Sequence, residues 1–248
     1  LGGLLREAGV EGEVEAIALE RIGEVGQMST VFRVRMTYRT GSEGPASLVV
    51  KTTAPELRQR VLNAGLGMFT AELRAYRLPA PSRGLLRPRC WYGEQRPISR
   101  TSLLVLDDLS AWRGAPADAK LTPADALRVA AALGEQHAAW WGRGEELRAR
   151  GFPCASGMTR ASLGPMCALG WSRGREIMAE LVDQESLALL GHIVRRQEAI
   201  GRRLDAEPQT LVHGDPNANN LFFDAAGGRV CAIDWQTSRS GSWAEDLA

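Results

Sequence analysis

A chain of 248 residues, 44% of them apolar, can bury one large core or two moderate ones, and its formal net charge of +1 excludes a global pull toward nucleic acid or a membrane surface. No window approaches the run of about 18 apolar residues that a membrane span needs, and the opening residues lack the basic-then-apolar order of a signal peptide. The four cysteines, Cys90, Cys154, Cys167 and Cys231, are scattered without a CxxC pair, which argues against a disulfide framework or a cysteine metal site and fits a reducing cytoplasm.

From Val14 to Thr53 the pattern predicts strands: "VEAIALERI", then "STVFRVRMTY", then "ASLVVKTT", with "RTGSEGP" turning between the last two. Gly23, Gly26 and Ser29 fall in the turn between the first two. Glycines there let backbone N–H groups approach a phosphate, although a plain β-turn uses the same residues. Of 30 basic residues only Lys51 and Lys120 are lysine, so each lysine stands out against 28 arginines. Lys120 lies in a polar linker. Lys51 ends the apolar run "ASLVVK" and is expected to point from a buried strand.

A helix is expected over roughly Pro55 to Leu78. Within it Phe69, Glu72 and Tyr76 share one face, so Glu72 needs a partner. Two partners remain open: Lys51, where loss of either member of a buried pair costs ~3–5 kcal/mol, or a surface arginine. "RCWYGE" and "TSLLVLDDLS" read as two further strands, and the stretch around Asp107 to Trp112 as a hinge dividing lobes at 1–109 and 110–248.

Beyond the hinge the pattern turns helical. Thr122-Pro-Ala-Asp125 is a capping pattern opening a helix to about Trp141, where Gly142 can end it. A second long helix is expected over roughly Arg175 to Leu204. His137 and the Trp140–Trp141 pair read as core. "LVHGDPNANNLFFDAAGGRVCAIDWQ" then supplies three short strands, at Leu211–Val212, Leu221–Phe223 and Arg229–Ile233. A glycine-bearing hairpin between the last two folds Asp234 back toward Asp215 and Asn220, so three oxygen donors meet at one end of a small sheet.

The order of these features resembles the aminoglycoside phosphotransferase and choline kinase superfamily. The glycine/serine turn, the strand lysine, the helix glutamate, "LLVLDDL", "HGDPNANN" and "AIDW" carry that likeness. "LGEQHAAWWG", "LVHGDPNANNLFF" and "GSWAEDLA" look most like its ecdysteroid-kinase-like (CHK-kinase-like) branch. The resemblance implies an α+β, protein-kinase-like two-lobed fold: an N-terminal antiparallel sheet plus helix, then a mostly helical C-terminal lobe. It also implies ATP and Mg²⁺ as cofactors and a small-molecule alcohol as phosphate acceptor, with no nucleic acid, membrane span or partner protein.

Carried over by position, Asp215 would orient and deprotonate the acceptor hydroxyl, Asn220 and Asp234 would hold Mg²⁺, Lys51 would meet the α- and β-phosphates, and Glu72 would pair with Lys51. Gly23, Gly26 and Ser29 would cover the phosphates, and the backbone at Asp107 would meet the adenine. His213 would support the catalytic loop. Asp246 would hold that loop or cap a helix. Phosphoryl transfer depends mainly on positioning and charge neutralisation, which suits a carboxylate base, an oxygen-ligated cation and a compact ammonium.

The chain begins at Leu1 without a methionine and stops at "WAEDLA", where a helix is starting, so it reads as a fragment with an incomplete C-terminal lobe. Between Arg150 and Leu190 the charges cancel, with Phe152, Met158, Leu163, Met166, Leu169 and Trp171 nearby. A neutral acceptor with an apolar body is expected rather than a polycation. Two other classes stay open: a metal-dependent phosphohydrolase using His213, Asp215 and Asp234, and a nucleotide-binding module without catalysis.

Overall fold

The computed structural model describes the chain apart from residues 1, 8, 24–28, 55, 57–66, 80–82, 97, 100, 115–120, 227 and 248. Gly26, Lys120 and most of the first half of the helix expected from Pro55 lie outside the described residues.

In chain order the elements are α1 (Gly2–Glu7), β1 (Val14–Ile22), β2 (Ser29–Tyr38), β3 (Ser47–Thr53), α2 (Met68–Arg77), β4 (Leu85–Leu86), β5 (Cys90–Arg96), β6 (Thr101–Asp107) and β7 (Arg113–Gly114). There follow α3 (Pro123–Ala139), α4 (Gly144–Ala149), α5 (Ala155–Leu181), α6 (Gln184–Ala206), β8 (Thr210–Val212), β9 (Leu221–Phe223), β10 (Val230–Ala232) and β11 (Arg239–Gly241). The class is α+β, as expected.

Compactness divides the chain into two units, Leu1–Glu135 with Asp215–Thr237, and Gln136–Gly214 with Ser238–Ala248. The first unit holds a five-stranded antiparallel sheet in the order β1-β2-β3-β6-β5. Alternation builds its core: Val34 and Met36 of β2 turn inward with Leu48, Val50 and Val105, while Arg35 turns out. Helix α2 buries Phe69, Glu72, Leu73 and Tyr76. Its Leu73 comes so close to β5 that a Cβ on Gly93 would overlap it.

The hairpin of β9 and β10 forms as expected, pairing Val230 with Phe223, and β4 and β7 extend it to a four-stranded sheet. The strand at Leu211–Val212 is not part of it. Those residues lie in β8, which pairs with β11 in the second unit.

Two expectations of the helical region need correction. The helix expected over Arg175 to Leu204 is two helices, because Asp183 is extended and its carboxylate caps α6 by accepting from Ser186 N at 2.7 Å. Trp140 is buried as expected, but Trp141 is 48% exposed and is no core residue. Thr122 does cap α3, accepting from Asp125 N at 3.1 Å.

Candidate functional site

Lys51 lies inside the sheet, with β3 paired to β2 opposite Val31 and to β6 opposite Leu104. Its side chain therefore leaves a backbone fixed on both sides. Nζ donates to Glu72 Oε1 at 2.8 Å and to Asp234 Oδ1 at 2.6 Å. The partner of Glu72 is thus Lys51 and not a surface arginine. The Glu72 side chain is wholly buried, whereas that of Asp234 keeps 27% of its surface.

Burial pulls the Lys51 ammonium down, but the Glu72 and Asp234 carboxylates outweigh it and hold it above its ordinary value. The Glu72 carboxyl is pushed up by burial, against Lys51 and with the help of the Asp234 charge.

Asp234 follows β10 with φ of 63°, the sole positive φ of a non-glycine residue among the described residues. Such a backbone costs an L-residue roughly 1–2 kcal/mol, so the surroundings must impose it. Trp235 does so on one side: it is fully buried, and its Nε1 donates to Ala232 O at 2.9 Å. Helix α2, the carrier of Glu72, packs on the turn Trp235–Thr237. On the other side Ile233 N donates to Asn220 O at 2.9 Å.

Asn220 ends a short 3-10 turn, Ala218–Asn220, started by Asn217, whose side chain accepts from Asn219 N. Its Nδ2 donates to Asp215 O at 2.9 Å and lies 3.3 Å from Asp215 Oδ2. With the amide nitrogen so committed, Oδ1 is the atom left to act as a ligand. Asn217 Nδ2 donates to Asp215 Oδ1 at 2.7 Å and fixes that carboxylate further.

These groups face a cavity of about 380 Å³ within the first unit. Gly23, Ser29, Lys51, Glu72, Asp107, Asn220 and Asp234 all line it, so seven of the residues singled out from sequence come together. Asp215 does not line it but is bonded to Asn220, which does. Gly23 takes a φ of 87°, as a glycine turn requires. Val31, Val49, Leu106 and Ile233 give the cavity apolar walls.

At the end of β6 the Asp107 carboxylate is occupied, accepting from Trp91 Nε1 at 2.7 Å and Arg89 N at 3.2 Å. Asp108 accepts from Arg33 Nε at 2.8 Å and Ser47 Oγ at 2.6 Å. Burial pushes the Asp108 carboxyl up, but Ser47, the Ser110 amide and Arg33 together hold it below its usual range. Sequence reasoning passed over Arg33 and the Tyr76 hydroxyl. Arg33 was one arginine among 28, and Tyr76 was counted only as an aromatic.

For a divalent cation the donor set is fitting: Asp234 and the free Oδ1 of Asn220 are hard oxygen ligands. Among the described residues no group of three His, Cys, Asp or Glu is placed to hold a metal.

In the second unit Asp246 accepts from His213 N at 2.9 Å and Gly214 N at 2.7 Å, the two amides preceding Asp215 in the chain. It does not cap a helix. That place belongs to Ser242, in a capping box with Glu245.

A fold with an ammonium, two carboxylates and an amide converging on one cavity fits the class of phosphotransferases. The model of the phosphotransferase enzyme family (APH) matches residues 34–248, and the chain belongs to that family. No curated protein matches the chain. Among solved structures, the GDP and kanamycin complex of APH(2'')-IIia is similar at 13% identity and TM-score 0.57, over 96% of this chain and 72% of that one. Amicoumacin kinase hAmiN in complex with AMP-PNP, Ca²⁺ and Ami is similar at 13% identity and TM-score 0.55, over 99% of this chain and 66% of that one. Plasmodium vivax ethanolamine kinase is similar at 12% identity and TM-score 0.51, over 94% of this chain and 59% of that one. At these identities the likeness shows the fold, a kinase-like one. No described helix is long and apolar enough to cross a membrane.

Proposed function

We propose that the protein is an ATP- and Mg²⁺-dependent small-molecule kinase that transfers the γ-phosphate to an acceptor hydroxyl. The observation that carries this reading is Lys51 Nζ held between Glu72 and Asp234 on the wall of a cavity that Asn220 also lines. Residues 1–109 would form the nucleotide lobe and 110–248 the catalytic and acceptor lobe.

In this reading Lys51 meets the α- and β-phosphates, oriented by Glu72, and the backbone around Gly23 and Ser29 covers them. Backbone groups at Asp107 to Leu109 receive the base, since the Asp107 side chain is already engaged. Asn220 and Asp234 would hold the cation, whose chemistry is to neutralise charge on the transferring phosphoryl group. Asp215, steadied by Asn217 and Asn220, orients the acceptor hydroxyl and takes its proton.

The acceptor in this proposal is a neutral alcohol with an apolar body. Met158, Leu163 and Met166 lie outside the side chains described, Phe152 is buried in the second unit, and Leu169 is exposed there. The CHK-kinase-like branch fits the three sequence stretches that resemble it. A reducing cytoplasm fits four free cysteines.

The test is a thermal-shift titration with ATP and Mg²⁺, followed by a γ-phosphate transfer screen over neutral and cationic alcohols. Ligand at ~100 times its dissociation constant should stabilise the fold by ~2.7 kcal/mol. The shift should require Mg²⁺ and fade in Asp234→Asn and Lys51→Ala. Absence of any shift in the wild type would sink the reading.

A further inference from the structure

Glu72 Oε2 and Arg87 Nη1 are buried in the first unit without a hydrogen-bond partner, and the buried Tyr76 hydroxyl accepts from the Asp234 backbone N–H but has no acceptor for its own proton. Buried polar groups are nearly always paired, so unmet ones in one neighbourhood require a reason. Glu72 and Tyr76 are four residues apart on α2, share its inner face and both line the cavity. A phenylalanine at 76 would fill nearly the same space without burying a hydroxyl.

The Tyr76 oxygen accepts from the Asp234 backbone N–H. A phenol ordinarily titrates at about 10, so at neutral pH the hydroxyl keeps its proton and can donate it. Arg87 is occupied elsewhere: its guanidinium lies over the Trp235 ring at 5.2 Å, and Nη2 donates to Pro79 O.

Lys51 serves two carboxylates at once. When it turns to nucleotide phosphates, Glu72 loses part of its compensating charge while remaining fully buried. A second donor is then required on Oε2, and Tyr76 stands one helical turn away.

We propose that Tyr76 is a positioning residue of the nucleotide site, its hydroxyl donating to Glu72 Oε2 directly or through one ordered water and so keeping Glu72 ionised and turned toward Lys51 while nucleotide is bound. This rests on the kinase reading above. It makes Tyr76 a functional choice and not a packing one.

The experiment measures the affinity of Mg²⁺ with AMP-PNP by calorimetry between pH 5 and 8, which needs no acceptor, alongside the melting temperature. Tyr76→Phe should stay folded, melting slightly lower because the Asp234 N–H loses its acceptor, and bind about threefold more weakly at pH 8. Its affinity should begin to fall on acidification about half a pH unit earlier, because Glu72 without the donor takes up a proton more readily. In a Glu72→Gln background the same substitution should leave the pH profile unmoved. A Phe variant that binds like the wild type across the range overturns the inference alone, as does one that only melts lower with an unshifted profile. A wild type that binds no nucleotide overturns the kinase reading and this inference with it.

Discussion

Lys51 Nζ stands 2.6 Å from Asp234 Oδ1 although 183 residues separate them in the chain. The contact joins an interior strand of the large sheet to the end of the β9–β10 hairpin, and it does so through a residue in a left-handed backbone. Glu72 on the other side of the ammonium makes the arrangement a chain of three charges with one net negative. Such a site is electrostatically incomplete without a cation, and Asp234 is the member left partly exposed to receive one.

Removing the ammonium should therefore cost more at neutral pH than in acid. In Lys51→Met the buried Glu72 faces Asp234 with no opposite charge. Its folded pKa, already raised, rises further above the unfolded value of about 4.3. A raised folded pKa gives stability that is present below the unfolded value and lost as pH rises through the folded one. Urea unfolding should show a loss of ~3–5 kcal/mol at pH 8 and a smaller one at pH 5. Equal losses at both would mean that Glu72 does not depend on Lys51.

The backbone of Asp234 permits a separate test. Asp234→Gly and Asp234→Ala both remove the contact with Lys51, so they differ mainly in the left-handed φ of 63°. Glycine adopts that region freely, whereas alanine does not. The glycine variant should be more stable by about 1 kcal/mol in denaturant melts. An alanine variant of equal stability would show that the turn relaxes once the carboxylate is gone.

Asp108 predicts an acid-side effect. Its carboxyl is held below its usual range overall, so its contribution is present above the unfolded value, about 3.9, and is lost as pH falls through the folded one. Asp108→Asn should lower the melting temperature at pH 7 and converge on the wild type below about pH 4. Parallel melting curves down to pH 3 would rule out the ionised Arg33–Asp108 pair as the source.

Much of this was legible in the sequence because its signals are local. Strand-type apolar runs bounded by turns marked β1, β2, β3 and β6, and one of only two lysines among 28 arginines marked the site strand. The hairpin was legible from its small residues. What stayed hidden depends on contacts distant in the chain. Nothing near Leu211 shows that β8 pairs with β11 instead of β9, and nothing near Arg33 shows a partner 75 residues away. The break between α5 and α6 had a local signal in Asp183-Gln-Glu-Ser186, a capping pattern inside an otherwise helical run. The continuing apolar periodicity masked it.

The division of labour between Asp215 and Asn220 provides the sharpest test of the chemistry. Asn220 Nδ2 braces Asp215 through its backbone carbonyl, and its Oδ1 is free for the cation. Asp215 does not line the cavity but is bonded to Asn220, which does. Asp215→Ala should therefore retain the nucleotide- and Mg²⁺-dependent thermal shift while phosphoryl transfer falls by about 10²–10⁴-fold, the usual worth of a general base. Asn220→Asp keeps an oxygen ligand but replaces the donor to Asp215 by a second carboxylate. Like charges so close should turn the bracing contact repulsive, so cation-dependent binding should persist while transfer drops. If Asp215→Ala instead abolished the thermal shift and Asn220→Asp left transfer intact, Asp215 would belong to the binding apparatus and the proton would have to leave by another route.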